Sequence, residues 1–87
     1  MSDNHAAIIR RLKRADGHLQ AIIEMIEQDR PCVQIAQQLQ AVESAIDNAK
    51  KALIHDHISE CIERPGKAGG PASRTSLKEL KLIAKYL

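Results

Sequence analysis

The sequence is almost devoid of aromatic residues. Tyr86 is the only Phe, Tyr or Trp among 87 residues. Proteins that hold single-stranded nucleic acid commonly stack its bases on aromatic side chains, so we expect no platform of that kind here. A chain this short, with so few large side chains, buries little surface as a monomer. We therefore expect it to oligomerise.

Cysteine is also scarce, and no long apolar run is present. The chain has two cysteines and no secretory hydrophobic region. We therefore expect a cytoplasmic protein with reduced thiols and no membrane partner. In that setting a cysteine is more often a ligand or a sensor than half of a disulfide. We find no nucleophile–base pair, phosphate-binding loop or paired carboxylates, so we do not expect an enzyme.

Two stretches poor in Pro and Gly carry apolar residues at alternating steps of four and three, which predicts two amphipathic helices. The first is expected to run from about Asp3 to Asp29, with Gly17 permitting close helix packing. The second runs from Pro31, a suitable first helical residue, to Glu63. The apolar positions are Ile8, Leu12, Ala15, Leu19, Ile22 and Ile26, then Ile35, Leu39, Val42, Ile46, Ala49 and Leu53.

The remaining chain divides into a linker and a short helix. Residues 64–73 are rich in Gly and Pro and predict a flexible linker. Ser76 and Glu79 have the spacing of a capping box that would open a helix within residues 74–87. We predict an all-α, three-helix protomer, because a tight link folds the two long helices into an antiparallel hairpin over residues 1–63. Two hairpins would form a four-helix bundle.

Cys32, His57 and Cys61 are the residues most suited to chemistry. His57 and Cys61 are four positions apart, so one helix face can present both to a single ion. Cys32 and Cys61 are 29 residues apart, and an unbroken helix would separate them by about 43 Å. The two thiols therefore cannot share a metal ion or a disulfide within one chain.

An antiparallel pair of second helices from two chains would unite these residues. The twofold register that buries the apolar seam pairs Ile35 of one chain with Leu53 of the other. It also brings Cys32 of one chain to His57 and Cys61 of the other. We therefore predict two equivalent sites, each spanning a subunit interface.

Two thiolates and an imidazole form a soft ligand set. Cu(I) accepts three such ligands, whereas Zn(II) usually takes four, and Ni(II) or Co(II) would add nitrogen or oxygen ligands. Glu60 and Glu79 are candidates for hydrogen bonding to His57 from outside the ligand shell. The alternative is that no metal binds, because cysteines are often buried as small apolar residues.

Cations cluster on the predicted helices. Such clusters suit the phosphate backbone of DNA. No helix-turn-helix, zinc-finger or basic-zipper pattern is present. The remaining possibility is a protein that recognises duplex DNA through its backbone and its shape. The alternative is an ordinary solvated face. The cations are Arg10, Arg11, Lys13, Arg14, Lys50 and Lys51.

The other histidines are expected to be surface or packing residues, with a role as an additional ligand as the alternative for His5 and His18. His5 is expected at the surface near the N-terminus, and His18 faces the middle of the first helix. His55 lies on the opposite helix face from His57 and is expected to be exposed. The glutamines at positions 34, 37, 38 and 40 predict a solvent face or interhelical hydrogen bonds.

The run Arg11-Leu-Lys-Arg-Ala-Asp-Gly-His-Leu19, then Cys32, then His57-x-x-x-Cys61, resembles the copper-sensing repressor family typified by CsoR. That family also contains sensors of nickel and cobalt, of formaldehyde and of persulfide. The resemblance covers roughly residues 6–63. It implies an all-helical dimer of dimers that binds operator DNA without inducer and releases it when the inducer binds.

The resemblance implies that Cys32, His57 and Cys61 are Cu(I) ligands and that Glu79 couples the metal to DNA release. The nickel and cobalt sensors have His at the position of Cys61, the formaldehyde sensors lack this Cys, and the persulfide sensors lack the His. The pattern therefore favours copper. The DNA contacts it implies are Arg11, Arg14 and Lys51, with Arg10, Lys13 and Lys50 as neighbours.

The sequence thus predicts a Cu(I)-responsive repressor that binds operator duplex DNA. One alternative on the same fold is a thiol sensor, in which formaldehyde or persulfide modifies Cys32 and Cys61 resolves the product. A nickel or cobalt sensor is another. An alternative from a different class is a metal-storage or metal-chaperone bundle with no role in DNA binding.

Overall fold

In a computed structural model, residues 3–63 and 74–87 are described, and they form only helices and the turns between them. Helix α1 spans Asp3–Glu27, α2 spans Cys32–Glu63 and α3 spans Arg74–Ile83, followed by a 3-10 turn at Ala84–Tyr86. The prediction of an all-α protomer with three helices is confirmed. Within these ranges no helix has both the length and the apolar character that a membrane crossing needs.

The chain divides into two compact units, Met1–Ala49 and Lys50–Leu87. In the first unit α1 packs against the N-terminal half of α2, and His18 Nε2 donates a hydrogen bond to Gln38 Oε1 at 2.6 Å. This bond confirms an interhelical role for one of the glutamines. Because the two helices are antiparallel, the pairing of His18 with Gln38 places Ala15 opposite residue 41, one position from Val42.

Burial in this first unit follows a seven-residue spacing. Ile8, Ala15 and Ile22 are buried on α1, and Val42 and Ala49 are buried on α2. Residues seven apart lie almost on the same side of a helix, so each helix presents one narrow stripe to the other. One protomer therefore buries about half of the apolar positions identified in the sequence.

The other apolar positions stay in contact with water. Five of them have exposed fractions of 40% to 54%, and they too recur at the helical spacing: Leu12 and Ile26 on α1, and Leu39, Ile46 and Leu53 on α2. The sequence pattern predicted one buried apolar seam on each helix. In the protomer only part of each seam is buried, and the rest forms an exposed stripe.

A Schellman turn ends α1. The N–H of Arg30 donates to the Met25 carbonyl at 3.0 Å, and the N–H of Asp29 donates to the Ile26 carbonyl at 3.1 Å. Asp29 has a φ of 55°, which is the left-handed conformation that glycine usually adopts at this position of the turn. Helix α1 therefore ends at Glu27, two residues earlier than predicted, because these bonds reverse the chain there.

Two local predictions about the hairpin need correction. Helix α2 begins at Cys32, and Pro31 precedes it as the residue whose carbonyl accepts hydrogen bonds from the N–H groups of Gln34 and Ile35. Gly17 was expected to permit close packing, yet a Cβ built there meets no atom within 4 Å and the residue is exposed. Among the residues that the structure describes, none comes close enough to require glycine at that position.

The second unit contains the C-terminal half of α2 together with α3. Ile54 and Asp56 are buried, each with 7% of its surface exposed, and Asp56 has a polar partner. Helix α3 begins at Arg74, so the predicted capping box does not mark its start. Ser is tolerated inside a first turn, which makes such a signal imprecise. The predicted linker at residues 64–73 lies outside the described residues.

Candidate metal centre and nucleic-acid interface

Cys32 occupies the first position of α2. Its thiol is free and the residue is exposed. The interpretation of Cys32 as a small apolar residue buried in the core is therefore wrong. Its place at the helix start follows from the turn before it, because Pro31 cannot donate a backbone hydrogen bond and the helix starts immediately afterwards. An exposed thiol at this point is accessible to a metal ion, a modifying reagent or a second protein chain.

His57 lies near the end of α2 and contacts α3. Its Nε2 atom is 3.2 Å from Oε1 of Glu79, and the two side chains are 35% and 53% exposed. Of the two carboxylates that the sequence offered as partners for His57, Glu79 makes this contact. The contact engages Nε2, so Nδ1 is the ring nitrogen that takes no part in it.

Cys61 lies in the last turn of α2, one helical turn beyond His57. Its side chain is outside the described part of the structure, so its position relative to His57 rests on the four-residue spacing alone. Among the side chains that are described, no three from His, Cys, Asp and Glu lie close enough together to hold a metal ion.

The donor set nevertheless suits a soft metal ion. Two thiols and one imidazole provide sulfur and nitrogen ligands of the kind that Cu(I) and Zn(II) prefer. A metal-bound histidine commonly donates its second ring N–H to a carboxylate, which fixes the tautomer and the ring orientation. The contact between His57 and Glu79 has that arrangement.

The basic residues named from the sequence are all exposed. Arg10, Arg11, Lys13 and Arg14 lie on α1 in the first unit, and Lys50 and Lys51 lie on α2 in the second unit, where both have partners. The structure therefore makes every one of the six accessible to a ligand from solution.

A groove between α1 and α2 was missed by the sequence reasoning. It has a volume of about 340 Å³, and its lining residues come from both helices of the first unit: Arg11, Arg14, Ala15, His18, Ala45 and Asn48. The spacing of Arg11, Arg14 and His18 on one side of α1 was a signal for it. The sequence did not predict that Asn48 lines the groove, because this depends on how the two helices are aligned.

The remaining histidines fit their predictions unequally. His55 is exposed, as expected from its place opposite His57. His5 was expected at the surface near the terminus, but it lies in the first turns of α1, is half-buried and has a partner. Helix α1 begins at Asp3, which is early enough to include His5 and fix its surroundings.

Comparison with known proteins places this geometry in a family. The family model for metal-sensitive transcriptional repressors matches residues 4–85, nearly the whole chain. The chain is similar to the copper-sensing transcriptional repressor CsoR of Mycobacterium ulcerans, with 41% identity over 61 residues, which cover 70% of this chain and 52% of that protein. The match thus spans about half the length of this relative.

Two further relatives have comparable similarity. The copper-sensing transcriptional repressor RicR of Mycobacterium tuberculosis is 36% identical over 77 residues, covering 88% of this chain and 77% of that protein. The copper-sensing transcriptional repressor CsoR of Bacillus subtilis is 40% identical over 62 residues, covering 71% and 61%.

A solved structure has the same fold. The nickel-responsive transcriptional regulator InrS aligns with a TM-score of 0.78 and 31% identity, and the alignment covers 94% of this chain and 91% of that chain. Its similarity extends over the hairpin and the C-terminal helix alike. The chain belongs to the family of metal-sensitive transcriptional repressors.

Proposed function

We propose that this protein is a Cu(I)-responsive transcriptional repressor of the cytoplasm. In the metal-free form it binds operator duplex DNA, and on binding Cu(I) it releases that DNA. The observation that carries the proposal is the contact of 3.2 Å between His57 and Glu79 in a chain that also retains Cys32 and Cys61. The names of its relatives CsoR and RicR support copper as the metal.

The proposed ligands are Cys32 of one chain and His57 and Cys61 of its partner. Cu(I), when bound, would supply a soft cation that accepts these three ligands. Glu79 would accept a hydrogen bond from the Nε2–H of His57 and so present Nδ1 to the metal. The exposure of Cys32 supports a site completed by a second chain, because the described part of the protomer leaves this residue accessible.

The proposed assembly is a dimer that associates further into a dimer of dimers. Its support is the exposed apolar stripe on α2, where Leu39, Ile46 and Leu53 are 40%, 42% and 47% exposed. An antiparallel α2 from a second chain would cover this stripe and favour the pairing by removing apolar surface from water.

The proposed coupling runs from the metal ligands to the basic residues through α2. Lys50 and Lys51 lie on the same helix as all three ligands, and α3 meets that helix at His57. Fixing the ligands of two chains would favour one arrangement of the bundle over another. A coupling free energy of about 1–3 kcal/mol is sufficient for a regulatory change in DNA affinity. The proposed DNA-binding residues remain Arg10, Arg11, Lys13, Arg14, Lys50 and Lys51.

The test is a titration of operator duplex, selected from genomic fragments, followed by fluorescence anisotropy under anaerobic, reducing conditions. Cu(I), Ni(II), Zn(II) and formaldehyde are added in separate runs. We expect Cu(I) alone to release the DNA. We expect His57→Ala and Cys61→Ala to bind the duplex but to lose this release.

His55→Ala is the matched control, because it removes an exposed imidazole two positions away on the opposite face of α2. It should respond to Cu(I) as the wild type does. Stoichiometric copper binding that leaves DNA affinity unchanged would contradict the proposed function. So would equal responses of His55→Ala and His57→Ala.

Two alternatives remain on the same fold, and each has a supporting observation. The similarity to nickel-responsive InrS supports a nickel sensor. The exposed thiol of Cys32 supports a thiol sensor. Release of the DNA by Ni(II) would favour the nickel sensor. Release by formaldehyde that requires Cys32 would favour the thiol sensor.

A further inference from the structure

The groove between α1 and α2 has the composition of an anion site. Two of its six lining side chains are guanidinium groups, a third is an imidazole, a fourth is the amide of Asn48, and none is acidic. Cations on an uncharged floor of Ala15 and Ala45 concentrate positive potential inside the groove. A volume of about 340 Å³ is enough for a small charged group together with its nearest water molecules.

Only some of the basic residues of α1 line the groove. Arg11, Arg14 and His18 lie within an arc of about 60° around the helix axis, because their spacings are three, four and seven residues. Lys13 projects about 100° from Arg14 and about 140–160° from His18 and Arg11, and it does not line the groove. Four neighbouring cations in the sequence are thus not equivalent in the structure.

His18 is held in place at one end of the groove. Its Nε2–H donates to Gln38 Oε1 at 2.6 Å, which fixes the ring between the two helices. Nδ1 is then the ring nitrogen left for a bound anion, and it donates when the imidazole is doubly protonated. Asn48 adds an amide donor from the other wall, so donors from both helices surround the same space.

We propose that this groove seats one backbone phosphate of duplex DNA, with Arg11 and Arg14 as the charged contacts and Asn48 and His18 as hydrogen-bonding contacts. The inference rests on the proposed function and goes beyond it, because it names His18 and Asn48 as DNA contacts and places Arg11 and Arg14 on one shared phosphate. Guanidinium groups suit a phosphate because they can donate two parallel hydrogen bonds.

The test measures duplex affinity as a function of salt concentration for the metal-free protein. Each phosphate that the protein neutralises contributes about 0.9 to the slope of log affinity against log salt. We expect Arg11→Ala and Arg14→Ala each to weaken duplex binding, and the double variant to lower this slope by about one for every groove occupied, because the two guanidinium groups share one phosphate. Asn48→Ala should weaken binding severalfold without changing the slope, because the amide is uncharged.

Arg30→Ala is the charge-matched control, since Arg30 is exposed at the turn after α1 and lies outside the groove. It should leave both affinity and slope near those of the wild type. Lys13→Ala should lower affinity less than either groove arginine does. All the weakened variants should lose operator and non-operator duplex equally, because phosphate contacts carry no sequence information.

A second arm separates a backbone phosphate from a free one. Inorganic phosphate is added at constant ionic strength while NMR follows the imidazole signals of His18. The inference is overturned if Arg11→Ala and Arg14→Ala bind duplex as Arg30→Ala does. If inorganic phosphate then shifts the His18 signals saturably, the groove binds free phosphate and not the DNA backbone. If the wild-type protein binds no duplex DNA, the proposed function is wrong, and this inference, which rests on it, is wrong as well.

Discussion

His57 Nε2 and Glu79 Oε1 lie 3.2 Å apart and join the end of α2 to α3. Both side chains are partly exposed, at 35% and 53%, so water screens the pair. Exposed pairs of this kind contribute about 0–1 kcal/mol to stability. The significance of this contact is therefore the orientation that it gives the imidazole, and the first prediction follows from that.

Replacing Glu79 with Ala should weaken metal binding without weakening the binding of DNA by the metal-free protein. Loss of a hydrogen-bonding partner of a metal ligand commonly lowers metal affinity about 10–100-fold. The measurement is Cu(I) affinity by competition with a chromophoric chelator, beside the duplex affinity of the metal-free protein. Lys78→Ala, an exposed neighbour on α3, is the control. Equal Cu(I) affinities for the two variants would show that Glu79 does not support His57.

Replacing Ile46 with Glu should dissociate the proposed dimer. Ile46 is 42% exposed in the protomer, and an antiparallel partner would bury it. A carboxylate at a closely packed apolar contact costs several kcal/mol unless it finds a partner. Sedimentation velocity at micromolar concentration should show the variant at a lower mass than the wild type.

Gln37→Glu provides the matched control for this variant. It introduces the same side chain nine residues away, on the opposite face of α2. Gln37 is exposed. Its variant should retain the mass of the wild type. If Ile46→Glu assembles like Gln37→Glu, then another face of the protein forms the dimer.

Replacing Gly17 with Ala should stabilise the protein. A Cβ at this position meets no atom within 4 Å, so the substitution introduces no clash in the protomer. Ala is favoured over Gly in a helix interior by about 1 kcal/mol, which corresponds to a rise in melting temperature of roughly 4–8 °C. Ala21→Gly, at another exposed position of α1, should lower it by a similar amount. A fall for Gly17→Ala would show that a second chain packs closely at residue 17.

Replacing Asp29 with Gly should also stabilise the protein. Asp29 has φ of 55°, which costs an L-residue about 1–2 kcal/mol, partly offset by the greater chain entropy that Gly loses on folding. The substitution also removes a negative charge from the C-terminal end of α1. We expect a net gain of about 0.5–1 kcal/mol in the free energy of unfolding, measured by chemical denaturation.

Asp29→Ala separates these two effects. It removes the charge but keeps a Cβ in the left-handed conformation, so it should gain less than Asp29→Gly does. A larger gain for the Ala variant would mean that the left-handed conformation at residue 29 costs less than the chain entropy that glycine loses on folding.

Sequence alone was sufficient for the helical elements of this chain. The alternating spacing of apolar residues and the positions of Pro31 and Pro65 predicted two long helices whose ends agree with the structure to within two residues. This succeeds because helical periodicity is a local property of the chain. Local signals were less reliable at Ser76, where the capping pattern lies inside α3 and not at its start.

Sequence also identified residues with suitable chemistry but could not assign partners to all of them. Cys32, His57 and the basic cluster were recognisable from residue type and spacing, and Glu79 was one of two candidates for His57. The choice between Glu60 and Glu79 required the packing of α3 on α2, because contacts across a chain reversal are not encoded in local spacing.

Two features were decided by tertiary structure alone. The division of each apolar seam into a packed and an exposed stripe depends on which side of one helix meets the other. The groove that unites Arg11 and Arg14 with Asn48 depends on the register of α1 against α2, in which His18 meets Gln38. A sequence determines the order of side chains around one helix, but the neighbours of each side chain are determined only when two helices pack.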